Sequence, residues 1–151
     1  LLWCKEHSGR WVCCREYYYS GRDEERQKTD SEYADDLEQW LAGIKPVKII
    51  IDPSAASFIA ELKKRGYAIK KAKNDVLDGL RFVASLLNQG KIAISDQCPN
   101  TIKEFGSYIW DQKASERGED KPIKQHDHAM DALRYFCYTI IRKPGSIGIL
   151  K

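Results

Sequence analysis

The chain has 151 residues, 42% of them hydrophobic, enough for one domain whose core needs neither disulfides nor a structural metal. Its 25 basic and 22 acidic side chains leave a net charge of only +3, which permits contact with nucleic acid without arguing for it. No apolar run approaches the roughly 18 residues of a membrane span, and no secretory signal is present.

The five cysteines (Cys4, Cys13, Cys14, Cys98 and Cys137) show no CxxC spacing and read as reduced core residues of a cytosolic protein. Residues 1–5 and 10–19 are rich in aromatic and apolar side chains, with His7-Ser8-Gly9 between them, which predicts a β-hairpin. Residues 20–28 are charged and aperiodic, a solvated loop. Thr29-Asp30-Ser31-Glu32 then forms a Thr-x-x-Glu capping box, followed by Tyr33, Leu37, Trp40 and Leu41 at helical spacing.

The β-branched run 47–51 predicts a buried strand ending at Asp52-Pro53. A helix over 54–64 follows, closed by Gly66. Residues 67–72 read as a strand, 75–88 as a helix with the stripe Val76, Leu80, Val83 and Leu87, and 91–95 as a short strand. A helix over 100–112 carries Ile102, Phe105 and Ile109. Residues 114–124 are polar and read as a mobile loop. The last helix runs from about His126 to Ile141 with Met130, Leu133, Cys137 and Ile140 as its apolar face. A hairpin followed by alternating helices and strands defines an α/β domain with a mixed sheet.

Two acids carry the chemistry. Asp52 directly follows a hydrophobic strand, and ligands of open α/β sheets gather at strand carboxyl ends. The same Asp-Pro also reads as a helix N-cap with Pro at the first helical position. Asp131 lies on the last helix, three residues after His128 and four after Asp127, so the three share one side. Continuing that stripe gives Arg134, Tyr135 and Tyr138, opposite the apolar face. An acid-rich first turn that complements the helix dipole is the plainer account, and it explains Asp127 more readily than Asp131. Both accounts stand at this point.

What joins the two acids is two-metal phosphodiester cleavage, which uses carboxylates to hold cations roughly 3.5–4 Å apart. Mg²⁺ and Mn²⁺ prefer such oxygen ligands, and an imidazole such as His128 can relay a proton or orient a water.

Six segments, in order along nearly the whole chain, resemble the C-terminal nuclease domain of the large terminase subunit of tailed bacteriophages. They are Glu16-Tyr17-Tyr18-Tyr19-Ser20-Gly21-Arg22, Gln27-Lys28-Thr29-Asp30, Ile51-Asp52-Pro53-Ser54-Ala55-Ala56-Ser57-Phe58, and Asn74-Asp75-Val76-Leu77-Asp78-Gly79-Leu80. Tyr108-Ile109-Trp110-Asp111 and His128-Ala129-Met130-Asp131-Ala132-Leu133-Arg134-Tyr135 complete the series. The resemblance implies an RNase H-like mixed sheet flanked by helices, and an endonuclease that cuts concatemeric double-stranded DNA during packaging in the host cytoplasm. It implies three metal-binding acids, of which the second corresponds to Asp52 and the third to Asp131, with His128 in the same motif and Asp127 a further candidate.

The family's first acid lies on an opening strand upstream of the hairpin, and nothing here matches it. The expectation is therefore a nuclease domain lacking its first strand, poor or inactive in isolation, whose exposed sheet recruits a neighbouring chain into a homo-oligomer. No G-x-x-x-x-G-K-[S/T] is present, so ATP hydrolysis belongs elsewhere. Partners implied are DNA, the ATPase domain, the portal protein and the small terminase subunit. Lys121, Lys124 and Arg134 flank the acids, and Lys70, Lys71 and Lys73 form a second basic group; these are the candidates for phosphate contact, against the plain alternative of solvated surface charge. Two other readings remain open: a resolvase or transposase of the same fold class, and a prophage remnant or DNA-binding module that has lost the chemistry.

Overall fold

The computed structural model describes residues 1–20, 24–107 and 127–142. The expected Tyr108–Asp111 motif, the expected loop 114–124, Lys121 and Lys124 lie outside the described residues, and the last helix starts at His128 rather than near His126. Among those described there are five strands and five α-helices: β1 (Leu2–Lys5), β2 (Trp11–Arg15), α1 (Asp30–Leu41), β3 (Ile49–Ile51), α2 (Ala56–Lys64), β4 (Ile69–Lys71), α3 (Val76–Asn88), β5 (Ile92–Ile94), α4 (Pro99–Ser107) and α5 (His128–Phe136). A π-helical segment, Cys137–Ile141, continues α5. No helix among the described residues is long and apolar enough to cross a membrane. The chain divides into two compact units, one of residues 1–16 and 73–151, the other of Tyr17–Ala72.

In the first unit, β1 and β2 form the expected antiparallel hairpin, and β5 joins β2 in parallel, giving a mixed sheet of order β1-β2-β5. The hairpin ends at Arg15 rather than running to Tyr19. From Glu16 onward the side chains are committed elsewhere. Trp3 and Trp11 both meet Phe136 of α5, the first stacked at 4.3 Å between ring centroids, the second edge-on at 5.1 Å. Cys13, Cys98, Leu133 and Cys137 of this unit are fully buried, and Val83, Leu86 and Ile92 nearly so. Cys4 departs from the expectation of core cysteines: it is exposed at the outer end of β1, its Sγ 2.9 Å from that of half-buried Cys14.

Two buried or half-buried acids hold the helices of this unit. Glu16, just past β2, accepts from the backbone N–H groups of Asn100 (2.7 Å) and Thr101 (2.9 Å) and from both side chains, so it closes the first turn of α4. Glu104 on α4 is 5% exposed and in turn accepts from the N–H groups of Ala129 (2.7 Å) and Met130 (3.2 Å) at the start of α5. A negative charge at a helix N-terminus satisfies donors that have no partner within the helix.

The second unit is a β3-α2-β4 element with α1 packed on α2; β3 and β4 pair in parallel, Ile49 opposite Ile69. Pairing begins only at Ile49, and Val47 is 89% exposed, so the β-branched run 47–51 is a strand in its last three residues alone. The capping box of α1 forms as expected: Thr29 accepts from the Glu32 N–H, and the Glu32 carboxylate accepts from the Thr29 N–H at 2.8 Å. Gly66 ends α2 at φ +89°, a backbone angle that favours glycine, with the Tyr67 N–H returning to the Leu62 carbonyl. The tyrosine run serves packing. Tyr17 and Lys28 both hydrogen-bond Asp36, whose carboxyl they hold below the usual range, and Tyr19 and Phe58 pack edge-on against Tyr33.

Candidate functional site

Asp52 belongs to the second unit and Asp131 to the first, so each has its own surroundings. Asp52 is the residue after β3. Its Oδ1 accepts from the Ser54 N–H at 2.8 Å and its carbonyl accepts from the Ala55 N–H at 3.1 Å, which makes a tight turn closed by the side chain. The expected N-cap role is overturned: α2 begins at Ala56, its N-cap is Ala55, and no side chain caps it. With Pro53 occupying the turn, the helix starts three residues later than the Asp-Pro signal indicates. Asp52 is left half-buried at a strand's carboxyl end, where its turn also orients the carboxylate.

Asp131 is the fourth residue of α5, and its N–H makes the helix's first backbone bond, to the Asp127 carbonyl at 2.8 Å. This puts it in the first turn, since the helix starts at His128. The helix dipole therefore favours its negative charge directly. Asp127 is the N-cap residue, yet its side chain caps nothing; Glu104 performs that task from α4. His128 opens the helix and is exposed. Asp127, His128 and Asp131 thus share one helical turn, as their spacing indicates.

Arg134 departs from the solvent-facing stripe expected for it, because it is 2% exposed. Its Nη2 donates to Asp131 Oδ1 at 2.6 Å, and its Nη1 donates to the carbonyls of Asn74 (2.8 Å) and Asp75 (3.0 Å), just ahead of α3. Tyr138, on the same expected stripe, is also buried at 3% and packs edge-on against Phe82. The guanidinium is committed inside the unit. Lys70 and Lys71 are exposed on β4, where consecutive side chains face opposite ways, while exposed Lys73 belongs to the other unit and its N–H donates to Thr139 Oγ1.

Sequence reasoning missed Glu16, Glu104 and the internal role of Arg134. The glutamates' partners lie 84 and 25 positions away, so local spacing carries no signal of these contacts. Gly79 offered one, as a glycine within a strongly periodic helix marks a close approach: a Cβ there would stand 2.8 Å from Arg134 Cγ.

Carboxylate oxygens are the donors that Mg²⁺ and Mn²⁺ prefer. Among the described residues no group of three or more His, Cys, Asp or Glu stands ready to hold an ion. Asp127 and Asp131, with His128 in the same helical turn, offer carboxylate oxygens of the kind Mg²⁺ binds while it keeps several waters.

Together these features define an α/β domain with one carboxylate at a strand's carboxyl end and another on the closing helix. Residues 15–138 match the family model described as the terminase RNaseH-like domain, and the chain belongs to that family. It is 32% identical over 130 residues to the terminase large subunit of Escherichia phage T5, covering 83% of this chain and 30% of that protein. The large terminase of the thermophilic bacteriophage D6E, solved in complex with ADP, shares 51% identity with a TM-score of 0.90, over 93% of this chain and 36% of that one. A second crystal form of the D6E protein matches at a TM-score of 0.89, with 51% identity. The chain spans about a third of the length of these relatives. The RNase H-like fold and the terminase kinship expected from the six motifs are both borne out.

Proposed function

We propose that this chain is the nuclease domain of a viral DNA-packaging terminase, an endodeoxyribonuclease that hydrolyses concatemeric double-stranded DNA with Mg²⁺ or Mn²⁺. The observation that carries the reading is the family match over residues 15–138, which includes both Asp52 and Asp131. Asp52 and Asp131 are the residues that would hold the cations, whose chemistry when bound is to activate a water and neutralise charge on the phosphate. Asp52 presents its carboxylate from a turn fixed by its own hydrogen bond to the Ser54 N–H. Asp131 presents its carboxylate, 37% exposed, from a helix turn, with one oxygen held by Arg134. His128, exposed one turn ahead of Asp131, is suited to orient the attacking water or carry its proton away. Asp127 is a further ligand in this reading. Lys70, Lys71, Lys73, Lys121 and Lys124 are the side chains proposed for phosphate. The ATPase domain, portal protein and small subunit are the proposed partners in the host cytoplasm.

The test is Mn²⁺-dependent nicking of supercoiled plasmid by the complete gene product. Asp52→Asn and Asp131→Asn keep size and remove charge, so each is expected to lower the rate about 100-fold or more with the fold retained. Wild-type rates in either variant would refute the assignment.

A further inference from the structure

Resting on that reading, we propose that Arg134 is a positioning residue: it fixes Asp131 by one carboxylate oxygen so that the other is held toward the cation. Four observations converge on it. The guanidinium is almost wholly enclosed, at 2% exposure, which makes it unavailable to solvent or DNA. It grips Asp131 Oδ1 at 2.6 Å, and among the described residues Oδ2 has no hydrogen-bond partner. It is itself anchored by the Asn74 and Asp75 carbonyls and lies against Tyr135, its Cζ 4.8 Å from the ring centre. Finally, its stem runs over Gly79 of α3 so closely that a Cβ there would come within 2.8 Å of Cγ and 2.9 Å of Cδ.

The chemistry favours arginine over any other residue here. A planar fork can give one nitrogen to a carboxylate and another to backbone carbonyls at a fixed angle, whereas a lysine ammonium is a single point that must choose. Stability alone explains the arrangement poorly, because the Asp131 side chain is 37% exposed and solvent screens the attraction between the pair. Restricting the rotation of a ligand does explain it. Partners that orient metal-binding side chains typically change affinity 10–100-fold when altered. Gly79 belongs to the same device, since the missing Cβ is what gives the arginine stem its path.

Mn²⁺ titration of the complete gene product, followed by electron paramagnetic resonance and calorimetry, tests this without reading activity. Arg134→Lys keeps the charge and loses the fork; Arg134→Met loses both. Positioning predicts that both bind Mn²⁺ at least about tenfold more weakly than wild type. A purely electrostatic role predicts tighter binding in Arg134→Met, because a repelling cation has gone; that result, or unchanged affinity in both variants, overturns the proposal. Should these variants fail to fold, Gly79→Ala serves instead. Alanine is the better helix former, and its methyl displaces only the arginine stem. Weakened Mn²⁺ binding with helix content retained is expected, and unchanged affinity is the contrary result. If wild type and Asp131→Asn bind Mn²⁺ alike, the metal reading itself fails and takes this proposal with it. If only the Arg134 and Gly79 variants match wild type, the positioning role alone is lost.

Discussion

Arg134 and Glu104 are charges taken out of water, and each finds acceptors or donors of opposite polarity within hydrogen-bond distance. An enclosed polar group that loses a hydrogen-bond partner costs about 1–3 kcal/mol, and more when it is charged. Neither residue could be recognised from its neighbours along the chain. Arg134 falls on the polar stripe of its helix, and only the approach of α3 at Gly79 turns that stripe inward. Asp131 was legible for the opposite reason, as its spacing to Asp127 and His128 survives in any helix. The cysteines divide by depth. Cys13, Cys98 and Cys137 are enclosed, and burial pushes the Cys137 thiol up to about 12. Burial also raises Cys14, to about 11, helped by Cys4. Iodoacetamide at neutral pH should therefore label exposed Cys4 first in the native protein, with the three enclosed thiols reacting only after unfolding. Peptide mapping that finds Cys13 or Cys98 labelled alongside Cys4 would contradict this packing.

Among the elements, a relay of acids orders the end of the fold: Glu16 closes α4, and Glu104 on α4 closes α5, the helix that carries Asp131. Partial burial pushes Glu16 upward, but the hydrogen bonds from Asn100 and Thr101 outweigh it and leave the carboxyl below its usual range. A depressed acid contributes stability above its unfolded value, near 4.3, and loses it as pH falls through the lower folded value. Glu16→Gln should then lower stability at pH 7 by on the order of 1 kcal/mol and flatten its decline between about pH 5 and pH 3. Denaturant titrations across that range check this, and a decline parallel to wild type would count against the cap. Element order was legible throughout, because periodicity, the Thr29 capping box and the glycines Gly66 and Gly90 punctuate the chain. Element length was not. Strands β3, β4 and β5 have three residues each, since pairing partners rather than β-branched composition decide where a ladder ends.

Across the molecule, kinship to terminase RNaseH-like domains was readable because six motifs occur in series, each weak alone. The relation between Asp52 and Asp131 was not, because 79 positions separate them and they belong to different compact units. The proposed chemistry requires these two carboxylates to serve a common metal centre, which two-metal hydrolysis builds from acids distant in sequence. Anomalous scattering from crystals of the complete gene product soaked in Mn²⁺ tests that most directly. The account predicts a manganese peak at about 2.1 Å from carboxylate oxygens of Asp52 and Asp131, with water completing the shell. Full-occupancy manganese bound away from both aspartates, or none at millimolar concentration, would contradict it.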